Sequence, residues 1–275
     1  MSVRLHGKPP YQIVLVHPPG IIGALSGVAR NLSDRYGVIE LIQTRYCLEE
    51  LLIEMVQDLS SYQEQPIILI GHSYGTWLVG LYALKRAHNI QKLILIGTPP
   101  LCSSYEYIVD IKRKLHYNDE EIKEFDQLNC MLREASNVNK QEMDRILMRY
   151  GQLCNIADEY QPIGNENIYS EPVKFNGRMY FEIMRELMQM QEKEVLLDYF
   201  ETINIRIALI HGQYDTHPLE GVLEPFLKRK IPHTYSLLDD CGHTPWLEIG
   251  AKTNFQMILD YEIKDAFASK ESEKN

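Results

Sequence analysis

No apolar stretch of this 275-residue chain approaches the roughly 20 residues that a membrane-crossing helix needs. The first ten residues hold no run of signal-peptide length, and a cytoplasmic protein without a membrane partner is expected. Basic runs are missing as well. With a net charge of −10 and a pI near 5.4, no nucleic-acid partner is expected, and the acidity reads first as a means of staying soluble. The five cysteines, Cys47, Cys102, Cys130, Cys154 and Cys241, are odd in number and never spaced Cys-x-x-Cys. Neither a zinc site nor a disulfide framework follows from them, and free thiols in a reducing compartment are the expectation. Internal repeats and low-complexity segments are absent too. The remainder is a 45% hydrophobic polypeptide, long enough to bury a large core.

The chain is organised around residues 65–77, Gln-Pro-Ile-Ile-Leu-Ile-Gly-His-Ser-Tyr-Gly-Thr-Trp. The run Ile67 to Ile70 fits a strand buried on both faces of a parallel sheet. It ends in Gly71-His72-Ser73-Tyr74-Gly75, a Gly-x-Ser-x-Gly sequence, and residues 76–86 then carry apolar positions at helical spacing. Strand, sharp turn and helix are the context in which that motif forms a nucleophile elbow, with the Ser73 hydroxyl raised above the sheet.

Around it, strands are predicted at 11–16, 37–43, 92–96, 204–210 and 233–238, alternating with helices at 24–36, 48–62, 218–230 and 251–261. This predicts an α/β fold with a mostly parallel sheet of about six strands. The alternation stops between residues 101 and 200. That segment reads as helices at 104–115, 119–134, 140–160 and 176–200, with a loop at 161–174. Asn118 and Asn139 stand as N-caps, with Glu121 and Glu142 three residues on. The expected division is a core of residues 1–100 and 201–268, a helical cap over 101–200, and a disordered polar tail at 269–275. The methionines Met179, Met184, Met188 and Met190 read as core filler before they read as a binding stripe.

A serine hydroxyl needs a base within reach and a third group to hold that base's tautomer. Asp215 follows the fifth predicted strand in His211-Gly-Gln-Tyr-Asp215, and His243 follows the sixth in Gly242-His243-Thr-Pro-Trp-Leu-Glu248. The order Ser…Asp…His is that of α/β-hydrolases, and a parallel sheet brings all three strand ends to one edge. Alone, Asp215 is an ordinary turn residue and His243 a loop histidine. His72 is too close in sequence to fold onto Ser73, and Asp239 and Asp240 are rival acids that crowd His243. An oxyanion needs two donors. The Tyr74 N–H, just after the nucleophile, is one. The other comes from His17-Pro18-Pro19-Gly20, where the prolines have no N–H to give and Gly20 is the first donor.

These motifs resemble the α/β-hydrolase superfamily over nearly the whole chain. The resemblance implies a serine hydrolase with an inserted helical cap, working through an acyl-enzyme on Ser73 and using no cofactor and no metal. The long cap and the Gly-His-x-Pro-x-x-Glu ending look like the prolyl-aminopeptidase-like and small-ester hydrolase branch. Departures stand out as well: the leading hairpin is missing or reduced, the Asp-x-Arg-Gly-x-Gly turn common after the next strand is absent at Gln43-Thr-Arg45, and His17-Pro-Pro-Gly20 replaces the His-Gly-Gly-Pro-Gly form of prolyl aminopeptidases. The truncated start and the Pro-Pro loop are similar to thioesterases that unload carrier proteins.

The substrate expected is a small-molecule or peptide ester, thioester or amide. A thioesterase or acyltransferase acting on carrier-bound acyl groups is the alternative, and a slow-turnover ligand sensor is the alternative of another class. Trp77, Tyr105 and Trp246 are candidates for lining the pocket, with core packing as the competing role of each. The sequence gives no oligomeric state. Activity is expected to fall in acid near the ordinary histidine pKa.

Overall fold

A computed structural model describes residues 3–62, 65–134, 139–164 and 173–272. The first half alternates as the pattern predicts: β1 (Val3–His6), β2 (Tyr11–Val16), β3 (Ile21–Ile22), α1 (Ser26–Ser33), β4 (Gly37–Leu41), α2 (Leu48–Leu59), β5 (Ile67–His72), α3 (Gly75–Arg86) and β6 (Ile90–Ile96). Then come α4 (Glu106–Lys114), α5 (Asp119–Glu134), α6 (Lys140–Asp158), β7 (Lys174–Phe175), α7 (Gly177–Glu192) and α8 (Val195–Thr202). The chain returns to the sheet with β8 (Arg206–Gly212), α9 (Glu220–Lys228), β9 (Thr234–Leu238) and α10 (Lys252–Ser272). No helix among the described residues is long and apolar enough to cross a membrane.

Seven strands form one sheet in the order β1-β4-β2-β5-β6-β8-β9, parallel except for β1. The central strands alternate between two buried faces. Val14, Leu69, Leu93, Leu95 and Leu209 pack on α2, α3, α8 and α9; Ile13, Leu15, Ile68, Ile70, Ile94 and Ile210 pack on α1 and α10. Continuous apolar runs are what a strand covered on both sides requires. The register decides where function sits. Val16 pairs with Gly71, His72 with Ile96, Ile96 with Ile210 and Gly212 with Leu238, so the loops after β2, β5, β6, β8 and β9 leave the sheet at one edge.

The structure corrects four expectations. β1 is a seventh strand, too short and too mixed to stand out, and it pairs with β4 rather than forming a hairpin with β2. Arg4 and His6 on it reach the Glu40 carboxylate, buried in β4, at 3.0 Å each. The helix predicted over 176–200 is two helices, broken where Glu194 takes a left-handed φ of 54°. The second of them packs on α3 in the main core, with Phe200 against Gly80, rather than in the cap. The predicted tail is helical as far as Ser272, since Asp265 to Ser272 contains no breaker; residues 273–275 lie outside the described residues.

The inserted helices have an apolar cluster of their own, built on Phe125, Leu128, Ile146, Leu147, Leu153 and Phe181. Asn118 caps α5 as predicted: its carboxamide oxygen accepts from the N–H groups of Glu120 and Glu121, and its own N–H reaches Glu121. Asn139 accepts from the Glu142 N–H at the start of α6. Met179 and Met184 are buried filler on α7, as the plainer of the two readings expects. Much of the predicted 161–174 loop, residues 165–172, lies outside the described residues.

Candidate active site

At the end of β5 the backbone turns through Ser73 with φ +53°, a region that costs a residue bearing a Cβ strain and marks functional turns. Hydrogen bonds fix the turn: Ser73 N–H donates to Ile96 C=O at 3.0 Å, and Thr76 N–H and Oγ1 donate to Ser73 C=O at 2.9 and 2.6 Å. The two motif glycines have a steric reason. A Cβ on Gly75 lies 2.2 Å from Val16 C=O, and one on Gly71 lies 2.7 Å from Gly75 C=O. Gly75→Ala is therefore expected to push α3 off β2, costing about 3 kcal/mol. A thermal melt reads this as a Tm fall of roughly 5–10 °C.

His243 and Asp215 meet across the edge. His243 Nδ1 lies 2.8 Å from Asp215 Oδ2. The other carboxylate oxygen accepts from His217 N–H and His217 Nδ1, both at 2.9 Å. A third imidazole, His211, approaches Asp215 Oδ2 at 3.5 Å and hydrogen-bonds His217 C=O at 2.8 Å through the same Nε2. All four residues are buried. His72 stacks beside His243, with ring centroids 4.7 Å apart, and its Nε2 donates to His243 C=O at 3.1 Å. It braces the loop and is not placed as a base. Asp239 and Asp240 are exposed.

This crowding spreads the titrations apart. Burial alone raises the carboxyl pKa of Asp215; the charges of His243, His211 and His217 and the His217 hydrogen bond outweigh it and hold the group well below the carboxylate range. Burial opposes a charge on His243, yet the Asp215 carboxylate, with Asp158 and Glu159, pushes it up to about 9. Burial lowers His217 to about 4, against the pull of Asp215. Burial and the His243 charge lower His72 to about 3, and burial also lowers His211. Of these four imidazoles only His243 is pushed above the ordinary histidine value that sequence alone suggests; the other three are lowered.

The His17 loop faces the elbow. His17 Nδ1 donates to Pro18 C=O at 2.9 Å, and Gln43 Nε2 donates to His17 C=O at 2.8 Å. Ile21 N–H is spent on Pro18 C=O at 3.2 Å. Among the described residues, the N–H groups of Gly20 and Tyr74 donate to no protein acceptor. Gly20 has φ +72°, and a Cβ there lies 2.5 Å from Asn176 C=O, so only glycine fits. The inserted segment holds the loop from its far side: β3 pairs with β7, and Asn176 N–H donates to Gly20 C=O at 2.8 Å.

Ser73, Tyr74, His217 and His243 line a cavity of about 370 Å³ between the sheet edge and the inserted helices. Its walls are largely apolar, including Ile21, Leu147, Met148, Phe175 and Trp246. Trp246 is one of these lining residues and also packs in the core against Phe255. Trp77 is not among them: it is wholly buried in the main core, Nε1 directed at Pro99 C=O. Tyr105 also lies off this cavity, its hydroxyl bonded to Glu224. Sequence reasoning passed over His217, Arg113 and Asp158, which do face it. The one local signal was the Asp215-x-His217 spacing. Asp215, His217 and His243 offer donor atoms within 4.8 Å of one another, as a metal site does, but those atoms are joined by hydrogen bonds that an ion would displace.

The chain belongs to the α/β-hydrolase fold family, whose profile matches residues 31–248. No curated protein matches the sequence. Among solved structures it is similar to VinJ, with 13% identity, a TM-score of 0.65 and coverage of 94% of this chain and 93% of that one. It is similar also to MenH from S. aureus (15% identity, TM-score 0.59, 96% and 98% covered). The enol-lactonase from Burkholderia xenovorans LB400 is another (13%, 0.57, 97% and 95%). At these identities the likeness is one of fold.

Proposed function

We propose that this protein is a serine hydrolase that cleaves an ester or thioester bearing a neutral, apolar group, through an acyl-enzyme on Ser73. One observation carries the reading: a strained, glycine-flanked serine and a carboxylate-held imidazole open into the same cavity. Ser73 Oγ attacks the carbonyl carbon while its proton passes to His243 Nε2. Asp215 keeps the His243 proton on Nδ1 and balances the imidazolium. The N–H groups of Tyr74 and Gly20 take the oxyanion; such donors contribute about 3–4 kcal/mol where one has been removed. The tetrahedral intermediate collapses as His243 gives its proton to the leaving oxygen or sulfur. Water then attacks the acyl-enzyme, its proton going to His243 and its oxygen to the carbonyl carbon; the bond from that carbon to Ser73 Oγ breaks, His243 returns the proton to Oγ, and the acid leaves.

The cavity also narrows the substrate. Among the described residues that line it, only Asp158 carries a carboxylate, and both oxygens are taken by Arg113 Nε and Nη2 at 2.8 and 2.7 Å. These described residues leave no free anion to hold the amino group that an aminopeptidase-like enzyme recognises. Apolar walls favour an alkyl or aryl group instead.

A panel of p-nitrophenyl esters of increasing acyl length, set beside amino-acid anilides, tests this. Esters are expected to turn over with kcat/KM at least about 100-fold above the anilides, the better leaving group and the absence of an uncompensated buried charge acting together. Faster cleavage of free-amine substrates would reject the assignment. So would labelling by a fluorophosphonate without turnover of any ester, which is the behaviour of a ligand sensor.

A further inference from the structure

Asp215 serves two imidazoles, and the second has no part in the chemistry above. His217 Nδ1 sits on the free oxygen of the carboxylate, and its Nε2 meets Arg113 Nη2 at 3.3 Å. Arg113, on α4, is buried and forked onto Asp158 at the end of α6. The backbone carbonyl of Asp158 accepts the His243 N–H at 2.7 Å. These contacts close a ring: Asp215, His217, Arg113, Asp158, His243 and back to Asp215. Two further bonds tie the same elements. Thr216 Oγ1 donates to Asp158 Oδ1, and Lys112 Nζ, next to Arg113, donates to Asp215 C=O at 3.1 Å.

We propose that this ring holds the Asp215–His243 pair in working geometry, so that His217 and Arg113 are positioning residues supplied in part by the inserted helices. The inference rests on the hydrolase reading of Ser73, Asp215 and His243 given above. Its logic is one of tautomers. A guanidinium can only donate, so the His217 nitrogen facing Arg113 must carry the lone pair. The His217 proton then lies on Nδ1 and is given to Asp215 Oδ1. That leaves Asp215 Oδ2 free to accept from His243 Nδ1, and His243 Nε2 free for the Ser73 proton.

Charge points the same way. Arg113 and Asp158 neutralise each other, while Arg113 opposes a proton on His217. The other groups facing the two imidazoles are Tyr74 and His72 on the elbow, His211 at the end of β8 and Glu159 after α6. Because Arg113 and Asp158 come from the insertion, the triad is complete only while those helices are seated.

The test compares His217→Leu with His217→Asn, whose amide N–H reaches toward Asp215 as Nδ1 does. In His217→Leu, kcat on the best ester is expected to fall roughly 10–100-fold, the effect of losing a hydrogen bond to a charged group, with KM within about twofold. The acid limb of kcat/KM is expected to move up, because a carboxylate with one donor fewer holds the His243 proton more tightly. His217→Asn is expected to recover most of kcat. Wild-type kcat and pH profile in His217→Leu would overturn the inference, as would a loss carried by KM or one that His217→Asn does not relieve.

A second readout does not depend on turnover. In imidazole ¹⁵N spectra of the whole protein, His217 is expected as the Nδ1–H tautomer from about pH 6 to 9, with the His243 titration displaced upward in His217→Leu. If the wild type cleaves no ester, the hydrolase reading fails while these spectra still decide the ring. A His217 protonated on Nε2 would break it.

Discussion

Ser73→Ala is expected to lower kcat by roughly 10⁵–10⁶-fold and to abolish labelling by a fluorophosphonate. The size follows from the arrangement. Removing the nucleophile makes the pairing of Asp215 and His243 idle rather than merely weaker. The change deletes one oxygen from a residue that keeps the same left-handed backbone, so Tm is expected within a few degrees of wild type. Residual cleavage above the uncatalysed rate is expected from the Tyr74 and Gly20 donors and from binding alone. Intact-mass measurement after phosphonate treatment separates the outcomes: a single adduct on wild type and none on the variant supports Ser73. An adduct surviving the substitution moves the nucleophile elsewhere.

The elbow was readable because every level of the sequence agreed there. An apolar run gave β5, two glycines gave close approaches with no room for a Cβ, and helical spacing gave α3. Asp215 and His243 were readable for a related reason, since each directly follows a strand whose register the sheet fixes. The partners of Asp215 were not. Arg113 lies 102 positions before Asp215, and its meeting with His217 depends on how α4 and α6 pack, which no local pattern encodes. Trp77 misled because a large aromatic two residues after the elbow glycine suits a pocket wall and a helix core equally; helical phase turns it inward. The break at Glu194 had no glycine or proline to announce it. The raised pKa of His243 likewise needed three dimensions, because it reflects three carboxylates gathered from distant segments.

Asp215→Asn is expected to cost about 10⁴-fold in kcat, and the second imidazole is the reason no easy escape exists. An asparagine has one carbonyl oxygen. In this site two donors of His217 already point at the Oδ1 position, both at 2.9 Å, and hold the oxygen there. The amide NH₂ is left facing His243 Nδ1, which must then carry the lone pair. The His243 proton moves to Nε2, the atom that has to receive the proton of Ser73.

The pH profile exposes this. In the wild type the base is neutral only above its pKa, so kcat/KM is expected to rise from pH 6 toward about 9. Without the anion, burial dominates and the His243 pKa drops below its ordinary 6.5. The variant should therefore show a limb shifted to acid while being slower at every pH, because its imidazole is neutral but presents the wrong nitrogen. A variant within tenfold of wild type, or one with its limb still near 9, would mean that Asp215 neither orients nor charges His243.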